Sequence, residues 1–316
     1  MAKVEQPPLR RIRHVYPSLQ RYGVAVAYHP HYVNRQERQH SLDAVLLSVV
    51  IRGRGRHVLG DEVYREMGGS VSVTHYGQAH DIITEAKGMA VYNVFLDLRN
   101  HALPVVPENL RSTLSSILPI HPRLQHQLNR RVWIRIDQPE RLAASLARME
   151  EELASDTPGA LEVMQHSFQI FLIDICRAAQ RHGFVPSQGK GEFPAWVEKL
   201  RQGIDERFAL PHDLHALAKS VHVSVAYLCR IFKAYTGKTV IAYVVERRIQ
   251  AAIWKLREGD EKVLSIALGC GFNDLAYFNR VFKRIVGVTP SAYRNKIRKP
   301  TLASAAPQGG QARRGR

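Results

Sequence analysis

Residues 227–233, Tyr-Leu-Cys-Arg-Ile-Phe-Lys, recur fifty positions later as residues 277–283, Tyr-Phe-Asn-Arg-Val-Phe-Lys. Gly237 and Gly287 follow the two copies at the same distance. A repeat of this length indicates that one supersecondary unit occurs twice in the chain.

Each copy predicts a helix-turn-helix unit. Apolar residues recur at helical spacing on both sides of a short turn. Upstream of the turn the offset becomes 49 and pairs Ala218 with Ala267, small residues that let two helices approach closely. The same offset places His222 opposite Gly271 in the turn itself.

The helix ends carry matching signals. Ser224 in the first copy, and the pair 273–274 (Asn-Asp) in the second, stand where an N-cap would hold free main-chain N–H groups at an end that also favours phosphate. Gly237 and Gly287 stand where a left-handed residue ends a helix without steric penalty. The pair 289–290 (Thr-Pro) then predicts the start of a last helix.

These residues resemble the AraC/XylS family of bacterial transcription regulators. The match covers residues 196–296, and the stretch 271–294 carries its most specific part. The resemblance implies a seven-helix DNA-binding domain whose two helix-turn-helix units are joined by a long central helix over Val240–Arg257. Many relatives open that helix with proline, where this chain has Val240. Two recognition helices in such a domain enter successive major-groove segments about 34 Å apart without dimerising.

The resemblance also assigns DNA contacts, position by position. The implied base-facing residues are Ala226, Cys229, Arg230, Leu275, Ala276, Asn279 and Arg280. The implied phosphate contacts are Ser224, Lys233, Lys238, Arg247, Asn273, Lys283 and Arg284, with simple solvation of the basic side chains as the alternative. Arginine suits guanine and asparagine suits adenine, although an arginine of such a pair can instead contact phosphate or an internal carboxylate. Cys229 has a second interpretation as a redox sensor.

The charge distribution agrees with an acidic partner. The chain has 316 residues and a net charge of +17. Residues 196–299 hold 19 Lys and Arg against 9 Asp and Glu, whereas residues 1–195 hold 23 against 19. The length favours two domains, three cysteines without paired spacing predict neither a disulfide framework nor a thiolate zinc site, and no apolar run predicts a signal peptide or a membrane helix.

The N-terminal half has the pattern of a small antiparallel barrel. Short Val- and Leu-rich runs at residues 24–29, 42–52, 55–59, 62–66, 70–75, 80–85 and 91–98 are separated by turns that often contain glycine. Residues 53–55, Gly-Arg-Gly, give a hairpin signal. Residues 69–80 resemble the second cupin motif, with His75 where proline is usual. The expected fold class is α+β: a cupin-like β-barrel with a helical pair, then an all-α domain with two helix-turn-helix motifs.

Cupins often bind metal through histidines, and His57, His75 and His80 could supply three nitrogen ligands. The first cupin motif is missing around residues 53–69. We therefore expect no metal and no other cofactor, and a small effector in the barrel instead. Its polar contacts are expected from Arg52, His75, His80 and Tyr92.

Two amphipathic helices are predicted at Pro139–Ala154 and Leu161–Arg181. They can pair with each other and pack against the barrel, or pair with a second subunit, and we expect homodimerisation through this region. The expected organisation is a cupin-like effector-binding and dimerisation domain (1–185), a linker (186–192), an AraC-type DNA-binding domain (193–299) and a disordered basic tail (300–316). Pro, Ser and Gly in the stretch 183–192 are typical of a linker.

Together these patterns predict an effector-responsive, sequence-specific transcription regulator rather than an enzyme. Its expected partners are promoter DNA, a small molecule, RNA polymerase and a second copy of the chain, in the bacterial cytoplasm and at the nucleoid when bound. Members of the resembled family activate transcription more often than they repress it, so we expect an activator. The alternatives are a cupin metalloenzyme with a DNA-binding appendage, which bound metal with turnover would favour, and an effector-independent architectural DNA-binding protein, which weak sequence discrimination would favour.

Overall fold

A computed structural model describes residues 7–60, 62–118, 132–183 and 193–298. The N-terminal elements are β1 (Leu9–Arg10), α1 (Ile12–Val15), α2 (Pro17–Tyr22), β2 (Val24–Tyr32), β3 (Ser41–Leu42), β4 (Val45–Leu59), β5 (Glu62–Met67), β6 (Ser70–Thr74), β7 (His80–Leu96), α3 (Glu108–Ile117), β8 (Val132–Arg135), α4 (Pro139–Leu153) and α5 (Ala160–His182). The C-terminal elements are α6 (Ala195–Glu206), α7 (Leu214–Ser220), α8 (Val225–Thr236), α9 (Val240–Glu258), α10 (Val263–Gly269), α11 (Leu275–Val286) and α12 (Pro290–Arg298). A mixed domain thus precedes a helical one, which confirms the α+β class. The predicted linker (186–192) and tail (300–316) lie outside the described residues.

The N-terminal domain is built on one antiparallel sheet. Its strand order is β2-β7-β4-β6-β8, and β5 pairs with the far half of β4. Within the described residues the sheet is not the closed barrel that we expected from the sequence. Its end strands β2 and β8 do not pair with each other: β2 is hydrogen-bonded to β7, and the four-residue β8 to β6.

The predicted hairpin at residues 53–55 is wrong. Strand β4 continues through these residues, and its pairing with β7 shifts register between Gly53 and Gly55. Gly53 has a φ of +93°, and a Cβ there would lie 2.4 Å from the carbonyl oxygen of Gly88. The glycines therefore permit a bulge and a close strand approach rather than a turn. Strand β7 likewise joins two predicted strands, because it passes through Gly88 at a φ of +69°.

Helices α4 and α5 pack against one face of this sheet. Leu47 and Val94 from the sheet and Met149 and Phe171 from the helices are fully buried in one apolar cluster. The bounds of both helices confirm the two amphipathic segments predicted from the sequence. Burying such a side chain contributes about 1.5–3 kcal/mol, so the helical pair is part of the domain core on this side.

The helical domain is organised around α9. The hydroxyl of Thr239 caps this helix by accepting a hydrogen bond from the main-chain N–H of Ala242 at 3.3 Å, and the helix bounds confirm the predicted central helix. On one side, Phe232 of α8 packs edge-to-face on Tyr243 of α9. On the other side, Phe278 and Phe282 of α11 are fully buried. One helix therefore supports both helix-turn-helix units.

Across the residues that the structure describes, no helix combines the length and the apolar content that crossing a membrane requires.

Candidate nucleic-acid interface and ligand site

The ends of the two candidate recognition helices, α8 and α11, are capped in the same way. The Ser224 hydroxyl accepts a hydrogen bond from the main-chain N–H three residues later at 3.2 Å. The Asp274 carboxylate accepts hydrogen bonds from the main-chain N–H groups two and three residues later, at 2.7 and 3.2 Å. Asp274 rather than Asn273 is therefore the cap, and Asn273 stands exposed beside it. Gly237 and Gly287 end the helices at φ values of +75° and +92°, as predicted.

The turns within the two units share a left-handed residue. His222 has a φ of +55° and Gly271 a φ of +84°, at the positions that the sequence repeat aligns. In both turns the next residue's main-chain N–H donates back to the carbonyl of the aligned alanine, Ala218 or Ala267, at 3.1 and 3.0 Å. The repeat is therefore structural down to individual hydrogen bonds. A histidine in this conformation is strained, whereas a glycine is not.

Most of the residues assigned to DNA are accessible on the surface. Of the base-contact candidates, Ala226, Arg230, Ala276 and Arg280 are exposed, and Cys229, Leu275 and Asn279 are half-buried. Of the phosphate candidates, Ser224, Lys233, Asn273, Lys283 and Arg284 are exposed. These side chains lie on or next to α8 and α11.

Each recognition helix presents its arginine over a tyrosine one turn earlier. The Arg230 guanidinium lies 5.2 Å from the centre of the Tyr227 ring, and Arg280 lies 5.5 Å from that of Tyr277. A cation over an aromatic face is held by the ring quadrupole while its N–H groups remain free at the edges. The two arginines are thus held in matching geometry on the two helices.

Two basic residues that the sequence assigned to phosphate are engaged elsewhere, and we correct those assignments. The guanidinium of Arg247 is buried, lies 2.8 Å from the carboxylate of Asp205 and donates a hydrogen bond to Gln250. Lys238 is half-buried and paired with Glu246. Nothing in their sequence spacing distinguished them from solvated cations on a helix surface. Their partners leave neither free to neutralise DNA.

The face of the sheet opposite α4 and α5 carries two apolar clusters, one with Leu46 and Phe95 and one with Val50 and Val91, and a group of polar side chains between them. Strand pairing places Ser48 of β4 beside Asn93 of β7 and Ser72 of β6. The Ser48 hydroxyl donates a hydrogen bond to the Asn93 side-chain oxygen at 3.1 Å. Ser48 and Ser72 are buried, but Asn93 retains partial exposure. We use the term polar interior for Ser48, Ser72 and Asn93 together with Glu66, His57 and His80.

A chain of buried groups runs through the polar interior. The Glu66 carboxylate accepts hydrogen bonds from Ser70 and from Trp133 Nε1 (3.1 Å), and it lies 3.2 Å from His57 Nδ1. A carboxylate can only accept, so His57 carries its hydrogen on Nδ1 and offers Nε2 as an acceptor. His80 Nδ1 lies 3.3 Å from that atom, which leaves His80 Nε2 buried without a partner. Burial, with His57 and His40 nearby, holds the pKa of His80 well below its ordinary value.

The four residues predicted to contact an effector do not converge. Only His80 lies in the polar interior. Arg52 is exposed, and Tyr92 lies on the helix-packed face, where its ring stacks on Tyr28 at 4.4 Å. His75 is buried with its Nε2 unpaired, and burial lowers its pKa to about 4. Strand phase decided these placements, and it could not be fixed from the sequence.

In the described ranges, no group of three or more His, Cys, Asp or Glu side chains is arranged to hold a metal ion. His57 and His80 are hydrogen-bonded to each other.

A second set of contacts joins the two domains through α3, a helix that the sequence analysis did not identify. Arg111 of α3 pairs with Glu258 of α9 at 2.5 Å. Ser112 accepts a hydrogen bond from Arg247 at 2.9 Å, and Trp254 Nε1 lies 3.4 Å from the hydroxyl of Ser115. The central helix of the helical domain is thus docked on the N-terminal domain.

Both parts of the chain match known protein families. Residues 23–171 match the AraC-like ligand binding domain, and residues 217–296 match a helix-turn-helix domain. Together the two stretches span more than two thirds of the chain.

Curated relatives match along most of their length. The chain is 26% identical over 260 residues to the HTH-type transcriptional activator RhaR of Mannheimia succiniciproducens, covering 82% of this chain and 87% of that protein. It is 24% identical over 277 residues to the HTH-type transcriptional activator RhaS of Pectobacterium carotovorum, covering 87% and 93%. Among solved structures, ToxT from Vibrio cholerae is 12% identical with a TM-score of 0.35, over 88% of this chain and 99% of that one.

Proposed function

The chain belongs to the AraC family of transcription regulators, and we propose that α8 and α11 recognise promoter DNA under the control of a small molecule bound in the polar interior. It has a DNA-binding helix-turn-helix domain and an AraC-like ligand-binding domain, like transcriptional activators of this family. What the proposal adds is the assignment of contacts, the place of the ligand and the further partners.

The observation that carries the DNA assignment is the matched pair Arg230 and Arg280. Both are exposed, both lie over a tyrosine one turn earlier, and both belong to helices with equivalent caps. The proposed base contacts are Ala226, Cys229, Arg230, Leu275, Ala276, Asn279 and Arg280. The proposed phosphate contacts are Ser224, Lys233, Asn273, Lys283 and Arg284, of which the first and third stand at helix N-termini that favour anions.

Selection of bound duplexes from a random pool tests this assignment. We expect two preferred blocks of sequence about one helical turn of DNA apart, since each unit reads one major-groove segment. Arg230→Ala should relax one block and Arg280→Ala the other. If both variants weaken both blocks equally, the two arginines contact phosphate and the assignment of base contacts fails.

For the effector, the polar interior supports a neutral molecule that carries hydroxyl or amide groups. Asn93 and Ser48 offer hydrogen-bonding groups, and the unpaired His80 Nε2 offers an acceptor. Compounds that raise the melting temperature of the wild-type chain should fail to do so with His80→Ala, while effector-free DNA binding survives. A His80→Ala variant that is folded, but has lost basal DNA binding, would contradict this role.

The remaining partners follow from the same proposal. Ile170 on α5 is 49% exposed, which supports homodimerisation along the helical pair. RNA polymerase is the further partner that we propose, and we place the protein in the bacterial cytoplasm and at the nucleoid when it is bound. The sheet domain serves as a sensor and not as a catalyst, in keeping with relatives that are transcriptional activators.

A further inference from the structure

A cavity of about 270 Å³ opens between β2, the segment 98–105 and α5. Its apolar lining comes from Val24, Leu98, Leu103, Val105, Met164 and Phe168. Ser48, Ser72, Asn93 and His80 of the polar interior are not among its lining residues. The cavity is therefore separate from the effector site proposed above.

The polar groups of this cavity can recognise a neutral molecule. His101, Gln165, His166 and Gln169 line it, together with the apolar residues, and none of its lining residues is Asp, Glu, Lys or Arg. Gln169 donates a hydrogen bond to the carbonyl of Val105 at 2.5 Å, so its side-chain oxygen is left as an acceptor. His166 Nδ1 lies 2.6 Å from the carbonyl of Glu162, so that nitrogen carries the hydrogen and Nε2 is an acceptor. A ligand with an N–H donor fits these acceptors.

The wall of the cavity is already fixed by hydrogen bonds. The main-chain N–H of Asp97 donates to Gly23 at 2.9 Å, and that of His101 donates to Asp97 at 3.1 Å. Gly23 has a φ of +77°, and a Cβ there would lie 2.2 Å from the Cβ of His101. His101 Nε2 lies 3.0 Å from the carbonyl of Gln20. A preformed wall lowers the ordering cost of binding.

The segment 98–105, which forms part of the cavity wall, also contacts the DNA-binding domain. The carbonyl of Leu103, a lining residue, accepts a hydrogen bond from Arg257 of α9. The guanidinium of Arg257 in turn lies 4.7 Å from the ring centre of Trp254. The segment then leads into α3, whose Arg111 pairs with Glu258. A molecule that displaces Leu103 must therefore alter the contacts of the central helix.

We propose that this cavity is a second ligand site, which takes a small neutral molecule with an aromatic or alicyclic ring and an N–H donor, and that its occupancy is transmitted through Leu103 and Arg257 to the central helix α9. The apolar lining holds the ring, and Gln169 and His166 accept from the donor. The regulatory output rests on the proposed function as a DNA-binding regulator, whereas binding itself does not.

Benzamide and benzoate form a matched pair of probes, because they share shape but only benzamide is neutral with an N–H donor. The full-length chain, labelled with ¹³C in its five methionine methyl groups, reports on the cavity and on a control position outside it. Met164 lines the cavity, and Met89 packs with Val50, Ile82 and Val91 in another cluster. We expect benzamide to shift the Met164 signal saturably, with a dissociation constant of about 1 mM for a fragment of this size. The Met89 signal should not shift, and benzoate should shift the Met164 signal at least tenfold less than benzamide does.

Transmission is measured by the emission of Trp254 in a W133F/W196F chain, in which it is the remaining tryptophan. Benzamide should change that emission in step with the Met164 shift. Ala102→Phe and Val105→Phe, at two lining positions, should each abolish both responses. Arg257→Gln should keep the Met164 response and lose its coupling to Trp254.

Three results would overturn the proposal. An unmoved Met164 signal at saturating benzamide would exclude the site, and equal shifts by benzoate would exclude the ligand class. A Met164 shift that depends on protein concentration without any ligand would assign the cavity to a contact between two copies. None of these results depends on DNA, so they are separate from a failure of the DNA-contact assignments.

Discussion

The Arg247 guanidinium nitrogen Nε lies 2.8 Å from Oδ1 of Asp205, close enough for an ion pair although the N–H is not aligned for a hydrogen bond. Asp205 also pairs with Arg201 and accepts a hydrogen bond from the Tyr243 hydroxyl at 2.7 Å. Arg247 extends this buried network to Ser112 of the N-terminal domain. One side chain therefore connects helices α6, α9 and α3.

Replacing Arg247 should destabilise the protein strongly. Arg247→Ala leaves the buried carboxylate of Asp205 with fewer partners, and breaking a buried pair in this way costs about 3–5 kcal/mol. Urea denaturation gives the free energy of unfolding. The matched control Lys233→Ala removes an exposed cation and should change it by less than about 0.5 kcal/mol. A loss for Arg247→Ala no larger than that of the control would mean that the network is not formed in solution.

Arg280 and Lys233 should differ in how they bind DNA. Arg280→Ala is expected to cost about 1–3 kcal/mol on the preferred site and to relax one base pair. Lys233→Ala should weaken binding to all sequences. It should also make the slope of log K against log salt concentration shallower by about 0.9, the value for one phosphate contact. Titrations on preferred and scrambled duplexes at several salt concentrations separate the two effects. An unchanged salt slope for Lys233→Ala would remove it from the phosphate contacts.

The two left-handed turn residues should respond very differently to substitution. Gly271→Ala forces a side chain into a φ of +84°, with its Cβ 2.3 Å from the carbonyl oxygen of Ala209. We expect a loss of more than about 2 kcal/mol, from backbone strain of about 1–2 kcal/mol and the added clash. His222→Gly removes similar strain from the folded state, but glycine also raises the conformational entropy of the unfolded chain. Because the two contributions offset each other, the change in unfolding free energy should lie within about 1 kcal/mol of zero. Thermal unfolding of the two variants measures this contrast, and equal losses would contradict it.

Stability should fall on mild acidification because of His75. Burial lowers the pKa of its imidazole to about 4 in the folded state, from an ordinary value of 6.5. Between these values the unfolded chain binds a proton that the folded chain does not, so the free energy of unfolding decreases by about 1.4 kcal/mol per pH unit as pH falls. Above about pH 6.5 this group should contribute no pH dependence.

Urea denaturation at pH 7.5 and pH 5 tests this expectation. The fall in unfolding free energy should be about 2 kcal/mol smaller for His75→Gln than for the wild-type chain. The exposed His166 gives the control, since His166→Gln should leave the pH dependence nearly unchanged. If His75→Gln keeps the full dependence, the imidazole is not buried as described.

The domains should separate functionally. A fragment that begins at Phe193 contains both helix-turn-helix units and should bind DNA without effector, while residues 1–185 should be dimeric and should not bind DNA. The fragment from Phe193 lacks α3, which covers Trp254 in the full chain, where this side chain is 2% exposed. The solubility of that fragment should therefore be lower. Sedimentation and DNA titration of the two fragments check these expectations. A folded fragment from Phe193 that does not bind would make dimerisation essential.

Sequence reasoning succeeded where the determinants are local. The caps Ser224 and Asp274 and the end residues Gly237 and Gly287 act within one helical turn, so a repeat of residue types predicts a repeat of structure. The central helix, by contrast, was implied by the resemblance to the AraC/XylS family, and its bounds agree with that expectation. His222 and Gly271, which the sequence repeat aligns, also share the left-handed conformation.

It failed where long-range placement decides. Tyr92 and Asn93 are neighbours in sequence, but strand pairing turns one toward the helices and the other toward the polar interior. Arg247 has the sequence context of an exposed cation, yet Asp205, forty-two positions earlier, draws it into the core. The docking of α3 on α9 depends on residues more than a hundred positions apart. Periodicity along one segment contains none of this information.

Helix α9 is one uninterrupted rod of 19 residues between the two DNA-binding units. Each residue of an α-helix advances the axis by about 1.5 Å and turns it by about 100°. Inserting or deleting a single residue there would swing one unit around the other by more than a quarter turn and misalign it with its groove. Point substitutions on α8 and α11 can therefore change the base preference of this protein's descendants. The spacing between the two DNA segments that the units would contact is set by α9 and is inherited unchanged.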